Sequence, residues 1–202
     1  PAIPSGGIDY NISVDDTGQT YDFIDATGGT QIFPGDDEYI AVTWPFDFSV
    51  YNDSYVGGVD QFEINSNGSI HFDIGGPRTL WINCGDAPST IDGQWVAPLG
   101  DDLDPTAAGS VYWDVSGTAP NRILTVSWLG VPEFGGTGSV DIQANFFEGS
   151  NMIVTQYEEV IAPTFASDGV VGINAGDGVV GTEVTCASAG TMPRPSHDVE
   201  YI

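Results

Sequence analysis

Three carboxylates fall within four residues in Gly100-Asp101-Asp102-Leu103-Asp104-Pro105. Oxygen donors gathered beside a turn suit Ca²⁺, which takes carboxylate ligands at relaxed geometry. Asp101, Asp102 and Asp104 are therefore the candidate metal ligands, and Ca²⁺ is the one cofactor the sequence suggests. The spacing is not that of a D-x-[DN]-x-[DN]-G calcium loop. The competing reading is loop capping, in which each Asp side chain accepts from nearby backbone N–H groups. Gly35-Asp36-Asp37-Glu38 is a second, shorter acidic run.

Catalytic signatures are missing. The sequence contains no G-x-S-x-G, no HExxH and no GxxxxGK[ST]. His71 lies between Ile70 and Phe72 and is predicted to face away from them, on a sheet surface. His197 falls in the C-terminal tail. A glycosidase needs two carboxyls facing across a sugar cleft, and a chain with 29 acidic residues offers many candidates without placing any. The absence of lysine removes Schiff-base, P-loop and Lys–Asn isopeptide chemistry. The reading is of a protein that is not an enzyme.

Cys84 and Cys186 are the only cysteines. They read as one disulfide formed in an oxidising compartment, or else as two buried thiols. With only two histidines in the chain, a zinc site is not indicated. Asn11-Ile12-Ser13, Asn52-Asp53-Ser54 and Asn67-Gly68-Ser69 are N-glycosylation triplets, so Asn11, Asn52 and Asn67 are candidate acceptors. The five tryptophans could stack on sugars, but their strand positions predict core.

The charge balance narrows the partners. The formal net charge is −26, with three Lys or Arg residues in all. Such a chain repels phosphate backbones and anionic lipid, which argues against nucleic acid and membrane-surface partners. No apolar run approaches the roughly 18 residues of a spanning helix. The chain opens at Pro1 and reads as the mature part of an exported, extracellular or cell-surface protein.

The elements that must position these residues are strands. Glycine is abundant at 27 residues and proline at 13, and no window shows helical periodicity. Alternation recurs instead. Ile8, Tyr10, Ile12 and Val14 share one face of a leading segment, with Asp9, Asn11 and Ser13 on the other. Residues 59–65 and 69–74 flank Ser66-Asn67-Gly68, where Asn-Gly signals a hairpin. Strands are also predicted around 111–115, 124–128, 140–146 and 152–158. Asp168-Gly-Val-Val-Gly172 and Asp177-Gly-Val-Val-Gly181 suggest a glycine-rich hairpin. The predicted fold class is all-β: an antiparallel sandwich or jelly-roll-like arrangement with essentially no helix.

In order and spacing the middle of the chain resembles a β-sandwich module of secreted prokaryotic proteins, reminiscent of the nidogen-type extracellular domain. The matching pieces include Trp44-Pro-Phe-Asp-Phe48, Ser66-Asn-Gly-Ser-Ile-His-Phe72, Ala97-Pro-Leu-Gly-Asp-Asp-Leu-Asp-Pro105, Thr125-Val-Ser-Trp128 and Gly169-Val-Val-Gly-Ile-Asn174. The resemblance covers about residues 21–181. It implies an interaction unit on surface proteins and carries no catalytic residues. Residues 1–20 then read as an N-terminal extension, and 182–202 as a tail tied by the disulfide.

The extension carries the sharpest functional expectation. Residues 8–14 would span about 23 Å at ~3.3 Å per residue, enough to cross a sheet. Ile8, Tyr10, Ile12 and Val14 could fill a neighbouring copy's groove while the backbone completes its sheet. Head-to-tail repetition of that contact builds a filament. The chain is thus expected to be a pilus-like, self-assembling surface subunit whose partner is itself. The alternatives are the first strand of its own sandwich, a calcium-dependent module binding surface glycans, and a small glycoside-active enzyme.

Overall fold

The computed structural model describes residues 10–15, 22–32, 35–76, 78–161, 169–186 and 197–202. Ile8 lies outside them. The described residues form strands, turns and loops, with no helix and hence none that could cross a membrane. In chain order the strands are β1 (Ile12–Asp15), β2 (Thr30–Ile32), β3 (Tyr39–Thr43), β4 (Phe48–Val50), β5 (Asp53–Tyr55), β6 (Gln61–Asn65), β7 (Ser69–His71) and β8 (Trp95–Gly100). They continue as β9 (Ser110–Thr118), β10 (Asn121–Pro132), β11 (Ser139–Phe147), β12 (Ile153–Ile161), β13 (Val170–Asn174), β14 (Gly181–Cys186) and β15 (His197–Tyr201).

One seven-stranded sheet runs β1-β15-β12-β11-β10-β9-β2, and a six-stranded sheet runs β14-β13-β8-β7-β6-β3. A separate hairpin pairs β4 with β5. The fold is an all-β antiparallel sandwich, as alternation predicted. Leu124, Val126 and Trp128 of β10, with Ile142, Ala144 and Phe146 of β11, face Phe62, Ile64, Ile70 and Val96 of the other sheet. Trp44 centres the aromatic part of this core, stacked on Phe48 at 5.1 Å and edge-on to Phe146 at 5.6 Å. Two hydrogen bonds join the sheets: Trp128 Nε1 donates to Asn65 O at 3.1 Å, and Tyr157 Oη donates to Pro98 O at 2.6 Å.

Both outer faces are partly roofed. The β7–β8 connection folds back over the six-stranded sheet. Its Leu80 carbonyl accepts from the Asn65 and Asn67 side chains, its Thr79 carbonyl accepts from Tyr39 Oη, and its Arg78 pairs with Glu63 at 2.6 Å. On the seven-stranded sheet, the carboxamide of Gln143 faces the N–H and C=O of Ile24 at 2.8 and 3.0 Å. Beneath this cover Thr125 donates to Asn145 at 2.8 Å.

The second glycine-rich repeat is not a strand. The residues 177–180 form the turn between β13 and β14, where Asp177 Oδ1 accepts from the N–H groups of Val179 and Val180. The disulfide is formed. Cys84 of the β7–β8 connection joins Cys186 at the end of β14, 102 residues away.

Two predictions follow from this scaffold. Closing a loop of about 100 residues restricts the unfolded chain, so replacing both cysteines with serine should lower stability by about 3–5 kcal/mol in chemical denaturation. The uncompensated acidic surface should also make stability salt-dependent. Between about 0.1 and 1 M salt the Debye length shrinks from about 10 Å to about 3 Å, and the melting temperature should climb by roughly 5 °C or more. A flat thermal profile across that range would contradict the charge argument.

Candidate functional site: an acidic corner and the terminal-strand edge

The acidic runs separated in sequence meet in space. Asp36 and Asp37 occupy the turn before β3, and Asp102 follows β8. One carboxylate oxygen from each lies within 4.8 Å of the others. Asn67 joins these loops. Its Nδ2 donates to Asp37 Oδ1 at 2.8 Å, and its Oδ1 accepts from Leu103 N at 2.9 Å. Asn67 is fully buried in the β6–β7 turn. The next residue must be glycine: its φ is +75°, and a Cβ there would sit 1.9 Å from Leu99 O.

Of the three predicted ligands, only Asp102 joins the cluster. Asp104 turns inward on its own loop, where Oδ1 accepts from the N–H groups of Thr106 and Ala107 at 2.9 and 3.2 Å and from the Thr106 hydroxyl. Asp101 is 4% exposed, and its Oδ1 accepts from Asp102 N at 2.8 Å. Capping therefore accounts for Asp104, and Asp36 and Asp37 stand with Asp102 where Asp101 and Asp104 were expected. Glu38 closes the turn by accepting from Gly35 N.

The cluster repels itself. Partial burial raises the Asp102 pKa, and the charges of Asp37, Asp36, Glu133 and Asp104 raise it further. Asp36 is raised as well, by desolvation first and then by Asp37 and Asp104. Three carboxylates converging from two loops offer hard oxygen ligands to a divalent cation.

His71 is not a surface residue. It is fully buried beneath the β7–β8 connection. Nε2 lies 3.0 Å from Ser69 Oγ, and Nδ1 lies 3.1 Å from the Asp92 carbonyl. Nδ1 thus donates while Nε2 accepts, which fixes a neutral ring. Burial, followed by the charge of Arg78, pulls its pKa down to about 3. This histidine packs the sheet and has no route to a substrate. His197 begins β15. Trp44, Trp95 and Trp128 are wholly buried, so they form no sugar platform.

The leading segment lies in its own subunit. β1 pairs antiparallel with β15, with Ile12 opposite Tyr201 and Val14 opposite Val199. Backbone bonds of 2.9 and 3.0 Å link Asn11 and Ile202 in both directions. Tyr10 and Ile12 pack against the main core. The Tyr10 ring meets Tyr51 edge-on at 5.0 Å and Tyr201 at 6.4 Å. The predicted strand of 8–14 is therefore a shorter edge strand within the sandwich, here paired at home rather than standing clear of it.

The glycosylation candidates divide. Asn11 and Asn52 are exposed, but Asn67 is buried and fully engaged, so it is not an acceptor in the folded protein.

A family model described as NIDO related matches residues 9–201. The chain belongs to this nidogen-related family. No curated protein and no solved structure matches it. The family span takes in β1 through β15 and is wider than the 21–181 of the sequence resemblance, so both terminal strands are part of the family fold. Family and disulfide together point to an extracellular protein.

Sequence reasoning missed Asn67 as the tie between the two acidic loops. It also missed the covered polar ladder of Thr125, Gln143 and Asn145. A signal for the ladder existed: these outward positions carry uncharged polar residues, whereas Asp141, Glu158 and Glu159 flank them.

A folded-state pKa raised for Asp102 means the folded protein takes up that proton more readily than the unfolded chain. The associated stabilisation is complete below the unfolded carboxyl range and is lost as pH rises through the folded pKa. With chelator present at pH 7, Asp102→Asn should therefore raise the melting temperature. After allowing for solvent screening the gain is about 1–2 °C, and it should vanish as pH falls through the carboxyl range. Added Ca²⁺ should raise the melting temperature of the parent protein more than that of the variant. A variant that melts below the parent in chelator at pH 7 would contradict the repulsion.

Proposed function

We propose that this nidogen-related chain is a non-enzymatic, extracellular structural protein. Its copies assemble into a pilus-like surface filament by exchanging β1. The observation that carries this reading is the way the sheet ends. β1 is an edge strand that pairs, among the described residues, with β15 alone, and its segment packs Tyr10 and Ile12 against the core beside Tyr51 and Tyr201. Exchange would reproduce these contacts with a neighbour in place of the same chain. Removing β1 opens a groove lined by Tyr51, Val199 and Tyr201 and breaks no interior ladder.

The second reading is an adhesion module that binds surface glycans with calcium. The meeting of Asp36, Asp37 and Asp102 favours it. It does not rest on tryptophan stacking, because three of the five are core.

Deleting residues 1–14 separates the two. Under the filament reading, native material is large by sedimentation and electron microscopy. The deletion variant keeps its β-sheet circular dichroism, melts several degrees lower and stays a single particle. Native protein that sediments as one compact particle at all concentrations would end the filament reading.

A further inference from the structure

The three glycosylation triplets have three different environments, and the difference selects one of them. Transfer to an asparagine requires its Nδ2 and the hydroxyl two residues later to enter a transferase site together. Asn67 cannot do so in the folded protein: it is buried, and both ends of its carboxamide are hydrogen-bonded. Asn11 is exposed, but its backbone is bonded in both directions to Ile202, and the next side chain, Ile12, is packed on the core. Asn52 is at the tip of the β4–β5 hairpin. Asn52, Asp53 and Ser54 are all exposed.

The hairpin presents that tip firmly. Phe48 and Val50 of β4 are buried in the main core. Tyr51 takes the left-handed conformation, with φ of 52°, that turns the chain at the tip, and its ring packs on Tyr10. Ser49 N donates to Asn151 Oδ1 at 3.0 Å, which pins β4 to the β11–β12 turn. An open cleft of about 370 Å³ lies between the hairpin and that turn. Its lining combines Asp47, Asn151 and the exposed hydroxyls of Ser49 and Ser54, 3.0 Å apart, with the apolar surfaces of Tyr55 and Val56. Sugars bind to that mixture of polar groups and flat apolar surface.

We propose that Asn52 is an N-glycan acceptor and that the first sugar lies against this cleft. The donor is a lipid-linked oligosaccharide. The Asn52 Nδ2 forms a bond to C1 of the sugar, the bond from C1 to the lipid phosphate oxygen breaks, and Nδ2 loses one proton to the transferase base. The lipid phosphate leaves with the bonding electron pair. A glycan here sits beside the contact between the hairpin and Tyr10.

The full chain, secreted from a host with an N-glycosylation apparatus, provides the test. The folded fraction is digested and mapped by mass spectrometry, before and after enzymatic deglycosylation, which converts an occupied Asn to Asp. Occupied Asn52 with bare Asn67 is the expected result. Asn52→Gln should remove one glycan step in gel mobility without loss of secretion. Ser49→Ala with Asn151→Ala should leave occupancy unchanged and reduce the rise in melting temperature that the glycan gives the parent. Bare Asn52 in the folded, secreted protein, or occupied Asn67, overturns the assignment. Equal glycan stabilisation in the parent and the double variant overturns the cleft contact.

Discussion

A chain with three arginines and no lysine cannot be held together by ion pairs. Apolar packing between the sheets has to do that work, and buried polar groups must find neutral partners. Both consequences are visible. Trp44, Phe48, Phe62, Phe72 and Phe146 form one aromatic block across the sandwich. His71 is kept neutral between a hydroxyl and a carbonyl, and Asn65, Gln143 and Asn145 are satisfied by amides, hydroxyls and backbone, while Asn67 is held by backbone groups and the Asp37 carboxylate. Two of the three arginines act as internal clamps. Arg122 holds Glu148 through Nε at 2.8 Å and Nη2 at 2.6 Å, reaches Pro45 O, and lies over Phe46. Its hydrogen bonds hold the Glu148 carboxyl below its usual range. Arg78 pairs with Glu63 under the β7–β8 cover and lies over Tyr39. With Arg78 and Arg122 each committed to one carboxylate, the remaining acids repel one another, most clearly at Asp36, Asp37 and Asp102.

The same constraint explains which parts of the structure the sequence revealed. Period-2 alternation reports one buried face against one wet face. It worked for β9 to β12, whose inward residues Val111, Val126, Trp128, Ile142 and Phe146 were all legible. It failed where a loop covers the second face, because burial by a distant segment leaves no trace in the period. His71 is the clearest case. A polar residue between Ile70 and Phe72 reads as solvent-facing, and only the cover supplied by residues such as Thr79 and Leu80 makes it core. The glycine-rich repeat marked a real hairpin, β13 with β14, although its second copy supplies the turn and not an arm. Both copies have the same residues, but Asp177 caps its own turn, and that local hydrogen bonding competes with extension.

The acidic corner was half legible for a related reason. Adjacency in sequence suggested Asp101, Asp102 and Asp104 as a set, but side chains so close along the chain diverge unless the loop folds around a common point. Here the loop folds around its own N–H groups, so Asp104 becomes a cap and Asp101 is drawn inside. What brings Asp102 to Asp36 and Asp37 is the buried carboxamide of Asn67, 35 residues before Asp102 in sequence and hydrogen-bonded to both loops. A long-range tie of this kind depends on the register of β6, β7 and β8, and no local pattern encodes it.

The edges of the two sheets are not equivalent, and their inequality bears on how such a module could act. β14 is fixed by the Cys84–Cys186 bond, and the Glu183 carboxylate accepts from the N–H groups of Gly85 and Ala87 in the connection beside it. β3 is covered where Arg78 lies over Tyr39 and Tyr39 bonds to Thr79. β2 is short, but the Gln31 side chain bonds Ser110 at 2.8 Å. β1 lies at an outer position and pairs, among the described residues, with β15 alone. Tyr10, just before the strand, and Ile12 pack against the core, while every interior strand is bonded on both sides. β1 can therefore open without breaking an interior ladder, and the surface it uncovers includes Tyr51, Val199 and Tyr201. An opening that exposes such a surface is unfavourable in water unless an equivalent strand takes its place, and that is the condition the proposed exchange would meet.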